Sequence, residues 1–201
     1  MKRKNLKQES ESQSSVESCQ KVVEQSVRSI LDQFGIAHES EMYRNTPGRV
    51  ARMYMEIFAG LDEKNEPKLT LFDNPGYRDI LAVKGIAFYS LCSHHLVPIF
   101  GEVSIAYIPG EKIVGLSKFP RIVKYFASRP QVQEEFTKNL ADYLFEKLKA
   151  RGVLVLIKAR HLCMEMRGPR AHRVETVSSA IRGSFERNPS TKEEALKILH
   201  A

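Results

Sequence analysis

Residues 90–112 read SLCSHHLVPIFGEVSIAYIPGEK. In the second half Val103, Ile105 and Tyr107 alternate with Glu102, Ser104 and Ala106, the period-two pattern of a strand with one face turned inward, and Pro109–Lys112 supply a turn. Ile80–Tyr89, just upstream, is equally rich in β-forming residues. Between these two predicted strands Cys92, His94 and His95 crowd into four positions, in a chain that has only three cysteines and six histidines. A sheet is therefore predicted, with soft and borderline metal ligands gathered where two of its strands meet.

Working outward, the pattern changes period. Val22, Val23, Val27, Ile30, Leu31 and Phe34 follow a helical repeat that Gly35 ends, and NTPGRVARMYMEIFAGL predicts a second helix with Thr46 as N-cap, Pro47 at its first position and Gly60 past its end. Ser117 is placed to cap a helix running to about Ser128, with Ile122, Val123 and Phe126 inward. A longer helix follows over Gln131–Lys149, its stripe formed by Val132, Phe136, Leu140, Leu144 and Leu148. Val153–Glu165 and Val174–Glu186 read as two more strands, and STKEEALKILHA as a last helix capped by Ser190. The predicted order is αα, ββ, αα, ββ, α, an α+β chain. It divides into a flexible tail (1–15), an N-terminal helical appendage (16–60) and a main domain (61–201).

Composition narrows the class. A hydrophobic fraction of 42% and a charged fraction of 27% are those of an ordinary globular protein, which excludes wholesale disorder. The net charge of +7 favours an anionic partner, but part of it lies in the opening MKRKNLK, and no basic run is interleaved with aromatics, so neither nucleic acid nor a membrane is expected as the partner. Residues 1–15 lack the apolar stretch of a secretory signal, and the longest strongly aliphatic run, Val153–Ile157, is far short of the ~20 residues that cross a bilayer. The expectation is a cytoplasmic protein. In such a reducing compartment an odd number of cysteines reads as ligands or reactive thiols.

Cys92-x-x-His95 supplies two zinc-type ligands, and Cys163, in RHLCMEMRG, is the candidate third. Three protein ligands leave a fourth position open for water, the arrangement of a catalytic metal; a four-ligand structural site that adds His161 or His94 is the competing arrangement. On a regular strand His161 and Cys163 would share a face, whereas adjacent His94 and His95 would not. With Cys92, His95 and Cys163 on the metal, His94 and His161 remain as imidazoles able to pass protons near neutral pH. Ser117, Lys118 and Arg121 surround a predicted helix N-terminus, where free amides and the helix dipole favour phosphate, and Arg167 and Arg49 are further cations for such a group. Gln133, Glu134 and Glu135 open the long helix. They serve either as helix-start electrostatics or, through a carboxylate, as acceptors for adjacent N–H groups of a guanine ring.

The motifs CSHHLVP, GLSKFPRIV, RPQVQE and HLCMEMRG, in this order and spacing, resemble GTP cyclohydrolase I, and the likeness runs from about Val16 to the C-terminus. The resemblance implies a tunnelling fold (T-fold), with antiparallel sheet and paired helices, built into a toroidal homodecamer with active sites between subunits. It implies Zn2+ on Cys92, His95 and Cys163, and conversion of GTP and water to 7,8-dihydroneopterin triphosphate and formate, the committed step toward tetrahydrofolate and related pterins. His94 and His161 would transfer protons, Glu134 with Gln133 would hold the guanine, and Ser117, Lys118, Arg121, Arg167 and Arg49 would bind the triphosphate. Water activated at the metal would attack purine C8, formate would leave, and rearrangement of the ribose followed by reclosure would give the pterin. The chain departs from the family at Ser93, where Glu is usual, a change that bears on charge near the site rather than on ligation. A zinc nucleobase deaminase would need a downstream Cys-x-x-Cys, which is absent from the sequence. A T-fold reductase of deazaguanine nitriles would use a catalytic thiol and NADPH in place of zinc.

Overall fold

A computed structural model describes residues 2–201, with side chains from Val16 onward, and the chain forms two compact units, Met1–Phe58 and Ala59–Ala201. The expectation of a flexible tail over residues 1–15 lies outside the residues whose side chains are described.

In the first unit, helix α1 (Lys2–Gln33) ends at Gly35, whose φ of +68° is free of the Cβ penalty. Gly35 N–H bonds the Asp32 carbonyl at 3.1 Å and Ile36 N–H bonds that of Leu31 at 3.0 Å, the paired closure of a Schellman motif. Helix α2 (Glu41–Ile57) begins earlier than the sequence predicts. Ser40, not Thr46, is the N-cap, its Oγ accepting the Tyr43 N–H at 3.1 Å, and Pro47 lies inside the helix. Pro47 has no N–H for the Tyr43 carbonyl, so the helix gives up one internal bond there.

The second unit is built on a five-stranded sheet. Its principal strands are β2 (Leu81–Cys92), β3 (Pro98–Ile108), β6 (Gly152–His161) and β7 (Thr176–Gly183), and the two-residue β5 (Pro130–Gln131) completes the order β5-β2-β3-β6-β7. All neighbours are antiparallel except β2 and β5. A separate ribbon pairs β1 (Leu71–Asp73) with β4 (Lys112–Val114), two strands too short for a period to reveal. An extra residue in β2 between Val83 and Ile86 forms a bulge where Gly85 takes φ +67°.

Helices cover both faces. Val103, Ile105, Tyr107, Val153, Val155 and Ile157 pack with Phe119, Ile122 and Val123 of α3 (Lys118–Ala127) and with Phe136, Leu140 and Leu144 of α4 (Gln133–Leu148). The opposite side of β3 and β6 presents Ala106, Ile108, Leu154 and Leu156 to Phe185, Ala195 and Leu199. The unbroken aliphatic run Val153–Ile157 is thus the mark of a strand buried on both faces.

Further boundaries differ from expectation. Ser117 has helical backbone angles and caps nothing with its side chain; Gly115 and Leu116 carbonyls accept the Lys118 and Phe119 N–H groups instead. The long helix starts at Gln133, because Pro130 and Gln131 are drawn into the sheet beside β2. After β7, Gly183 (φ +67°) turns the chain into α6 (Ser184–Arg187), and α7 (Pro189–His200) is capped by Asn188, whose Oδ1 accepts the N–H groups of Ser190 and Thr191. Short α5 (Leu162–Glu165) follows β6 directly.

Candidate active site

The end of β2 is a tight turn. Cys92 N–H bonds the Val97 carbonyl at 2.9 Å, and the Cys92 carbonyl accepts the Leu96 N–H at 2.8 Å. Leu96 closes the turn at φ +53°, a left-handed conformation that costs a non-glycine residue about 1–2 kcal/mol. Because the backbone turns here, the strand rule that sends adjacent side chains to opposite faces does not hold for His94 and His95. Their Nδ1 atoms lie 3.6 and 3.7 Å from Cys92 Sγ.

The second half comes from the end of β6. The register of β3 on β6 sets Ile99 opposite His161, so the chain following His161 emerges beside the Cys92 turn. Cys163 was expected on the strand, two residues from His161 on one face, but the strand stops at His161 and Cys163 lies within α5. Two bonds account for it: Met166 N–H bonds the Leu162 carbonyl at 2.9 Å, and Arg160 Nε donates to Glu165 Oε1 at 2.8 Å, drawing the segment into a helical turn. Arg160 holds the Glu165 carboxyl below its ordinary range, against the smaller opposing effect of burial.

Cys92, His95 and Cys163 thereby come together, their ligand atoms all within 4.8 Å of one another. Neither His94 nor His161 belongs to this group among the described residues, so the structure offers three ligands. Cys92 is buried, Cys163 half-buried and His95 exposed, which leaves one side of the trio open. Burial, and then the neighbouring Cys92, push the Cys163 thiol up, while Arg167 acts the other way. A thiol raised in this way gives up its proton most readily to a cation that binds it.

His161 and the first turn of α4 border the trio. Gln133 is buried at 2% exposure, and its Oε1 lies 2.8 Å from His161 Nε2. Its Nε2 donates to the carbonyls of Ile157 (3.2 Å) and Thr176 (3.1 Å) and to Ser178 Oγ (2.9 Å). The amide of Gln133 is therefore occupied within the chain, whereas Glu134 beside it is exposed. Burial depresses the His161 pKa, partly countered by the Glu134 carboxylate. Ser93 is exposed, and its N–H bonds the Gln131 carbonyl at 3.1 Å.

Of the expected anion-binding groups, Ser117, Lys118 and Arg121 cluster at the start of α3, with Ser117 and Arg121 exposed, and Arg167 is exposed just beyond α5. Arg49 stands on α2 in the first unit, its Nη2 3.9 Å from Glu41 Oε1. Sequence reasoning missed Thr137, Ser178, Arg160 and Glu165, which support His161 and the Cys163 turn. The only written trace of them was a pair of serines in β7 and an acidic residue two positions after Cys163.

Fold and site together define a class: an α+β protein with a Cys/His/Cys group able to hold a divalent metal, open on one side and accompanied by two further imidazoles. Comparison with known proteins makes this specific. The family described as GTP cyclohydrolase I matches residues 23–200, and the chain belongs to that family. GTP cyclohydrolase 1 of Clostridioides difficile (strain 630) is 45% identical over 88% of this chain and 94% of that relative. The proteins of the same name from Aquifex aeolicus (strain VF5) and Bacillus subtilis (strain 168) are 47% and 43% identical, over 88% and 87% of this chain and 95% and 93% of theirs. A solved structure, the archaeosine synthase QueF-Like in the apo form, is similar over 53% of this chain and 95% of that one, at 21% identity and a TM-score of 0.45, a likeness too slight to bear on the assignment.

Proposed function

We propose that this chain is a zinc-dependent GTP cyclohydrolase I that converts GTP and water to 7,8-dihydroneopterin triphosphate and formate, opening tetrahydrofolate and pterin synthesis. The observation that carries this reading is the Cys92–His95–Cys163 group beside His161, in a member of this family.

The donor set fits zinc. Tetrahedral zinc with sulfur at ~2.3 Å and nitrogen at ~2.0–2.1 Å sets those two donors about 3.6 Å apart. Cys92 Sγ and His95 Nδ1 are separated by 3.7 Å. When bound, zinc supplies Lewis-acid polarisation and a water acidic enough to react at purine C8 near neutral pH.

The remaining work falls to the chain's own residues. The exposed Glu134 carboxylate, an acceptor only, is suited to two adjacent N–H donors of guanine and so selects that base. His161 and His94 take and return protons as the imidazole ring of the purine opens. Ser117, Lys118, Arg121 and Arg167 bind the triphosphate, and Arg49 is a further cation suited to it. The T-fold reading is supported by the sheet and its paired helices α3 and α4, and the toroidal homodecamer by β7, which ends the sheet with one edge unpaired within the chain. Among the described residues no helix is long and apolar enough to cross a membrane, and the proposed location is the cytoplasm.

The test is to incubate the zinc-loaded protein with GTP and to assay formate and, after oxidation, neopterin fluorescence. Both products from the parent and neither from Cys163→Ala are expected. One bound zinc per chain without turnover would overturn the reading in favour of a structural metal.

A further inference from the structure

The hydrogen-bond directions around Gln133 can be settled from chemistry alone. Two of the three partners near its Nε2, the carbonyls of Ile157 and Thr176, only accept, so that end of the amide must be the NH2 and the other end the oxygen. The oxygen therefore faces His161, at 2.8 Å from Nε2. An amide oxygen only accepts, so His161 Nε2 carries a hydrogen, and in the neutral ring the lone pair belongs to Nδ1.

The amide is itself locked. Thr137 Oγ1 donates to the Gln133 carbonyl at 2.7 Å, which spends its one hydrogen, so at 2.7 Å from it Ser178 Oγ must be the donor to Thr137. Gln133 Nε2 has two hydrogens for three acceptors, so one is shared, and Ser178 Oγ, 2.9 Å away with its own hydrogen spent on Thr137, takes part as an acceptor. Gln133, Thr137 and Ser178 thus close a ring of bonds between α4 and β7. Thr137 and Gln133 are 1% and 2% exposed, so water does not compete for these groups.

We infer that Gln133 is a positioning residue that holds neutral His161 as its Nε2–H tautomer and makes Nδ1 the atom that exchanges protons with the substrate. This rests on the proposed function for what the proton is used for, but not for the tautomer itself. It also separates the roles of two neighbours: Glu134 meets the base, and Gln133 sets the imidazole.

The test combines magic-angle-spinning NMR of the full-length, zinc-loaded protein containing 15N-histidine, at a pH where the rings are neutral, with steady-state kinetics. Loss of a resonance in His161→Gln assigns the ring. The parent is expected to show His161 protonated at Nε2 and unprotonated at Nδ1. Gln133→Met is expected to mix the tautomers and to lower kcat by about 100-fold, the scale of a misplaced catalytic group, while KM for GTP stays within about 3-fold and bound zinc is unchanged. Finding His161 protonated at Nδ1 in the parent would overturn the inference, as would a Gln133→Met protein whose KM rises while kcat holds, the signature of a guanine-binding residue. If Gln133→Met does not fold, the parent spectrum decides alone. If the parent does not turn over GTP, the spectrum still decides the tautomer, so the two failures are distinguishable.

Discussion

Gly101 lies in β3 two residues from Ile99, the partner of His161, and its own partner on β6 is Ala159. A Cβ placed there would come within 2.0 Å of the Lys158 carbonyl oxygen, 2.7 Å of Ala159 Cα and 2.9 Å of the Lys158 carbonyl carbon. Real Cβ atoms essentially never approach within 3.0 Å, so β3 and β6 must separate locally by about 1 Å, and all three obstacles are backbone. Overpacking of this kind costs about 1–3 kcal/mol. In a chain of this size that corresponds to a fall in Tm of roughly 2–12 °C. The displacement falls two residues from His161 and four from Cys163, and a misplacement of ~1 Å can cost about 100-fold in rate. Gly101→Ala is therefore expected to fold with a lowered Tm, to bind zinc more weakly by competition against a chelator, and to lose most of its turnover. A variant with parental Tm, zinc affinity and kcat would refute the claim that this close approach sets the geometry of the site.

Other outcomes follow from the same coordinates. Leu140→Ala, at a side chain with 0% exposure beneath the sheet, is expected to cost about 2–5 kcal/mol in denaturant unfolding without altering the zinc stoichiometry of the folded fraction. Glu134→Gln is expected to lower kcat/KM for GTP by at least about 100-fold, charged acceptors being the stronger ones, and to narrow the preference for GTP over ITP, which lacks the exocyclic amine. Asp142 is held below its ordinary pKa by Arg182, whose Nε donates to it at 2.5 Å, and less so by Lys138 at 3.0 Å. The native state thus binds the proton less readily than the unfolded chain, and this contribution is present above the unfolded carboxyl pKa of ~3.9 and lost as pH falls through the depressed value. Asp142→Asn should therefore narrow the gap between the pH 6 and pH 3 melting temperatures; an unchanged gap counts against the ion pair. Ser93→Glu should retain its zinc, since position 93 is exposed and outside the ligand group, and its pH–rate profile will show whether the added carboxylate reaches the reacting imidazoles.

How much of this was readable in the chain depended on whether the cause was local. The alternation over Glu102–Tyr107 reported the face that Val103, Ile105 and Tyr107 turn to α3 and α4, though Ala106 on the other face is buried too, and the stripe Phe136, Leu140, Leu144 reported α4. Gly35 stopped α1 through its own φ. Spacing also brings forward Cys92, His95 and Cys163, but a strand carried on to Glu165 does not hold: the aliphatic run Val153–Ile157 marks β6 and says nothing of the Arg160–Glu165 pair that folds the next turn. The last helix, read as capped by Ser190, is capped by Asn188, and Pro189, suited to the first helical position, is the local sign of it. Gln133 was least legible. Its neighbours Glu134 and Glu135 look like ordinary helix-start charges, and only the arrival of β7, more than forty residues later, gives its amide the partners Thr176 and Ser178.

The two cysteines of the trio stand 163 − 92 = 71 positions apart, and they meet only because β3 lies between β2 and β6. A ribosome must deliver nearly the whole sheet before both sulfurs exist in the same place. In a zinc finger, closely spaced ligands let the metal nucleate the structure; here Cys92 and His95 alone form a two-toothed clasp, and the third donor arrives only with β6. Bringing the trio together is thereby a late event in the life of each molecule, and any metal held by all three ligands would report that β2, β3 and β6 have already paired.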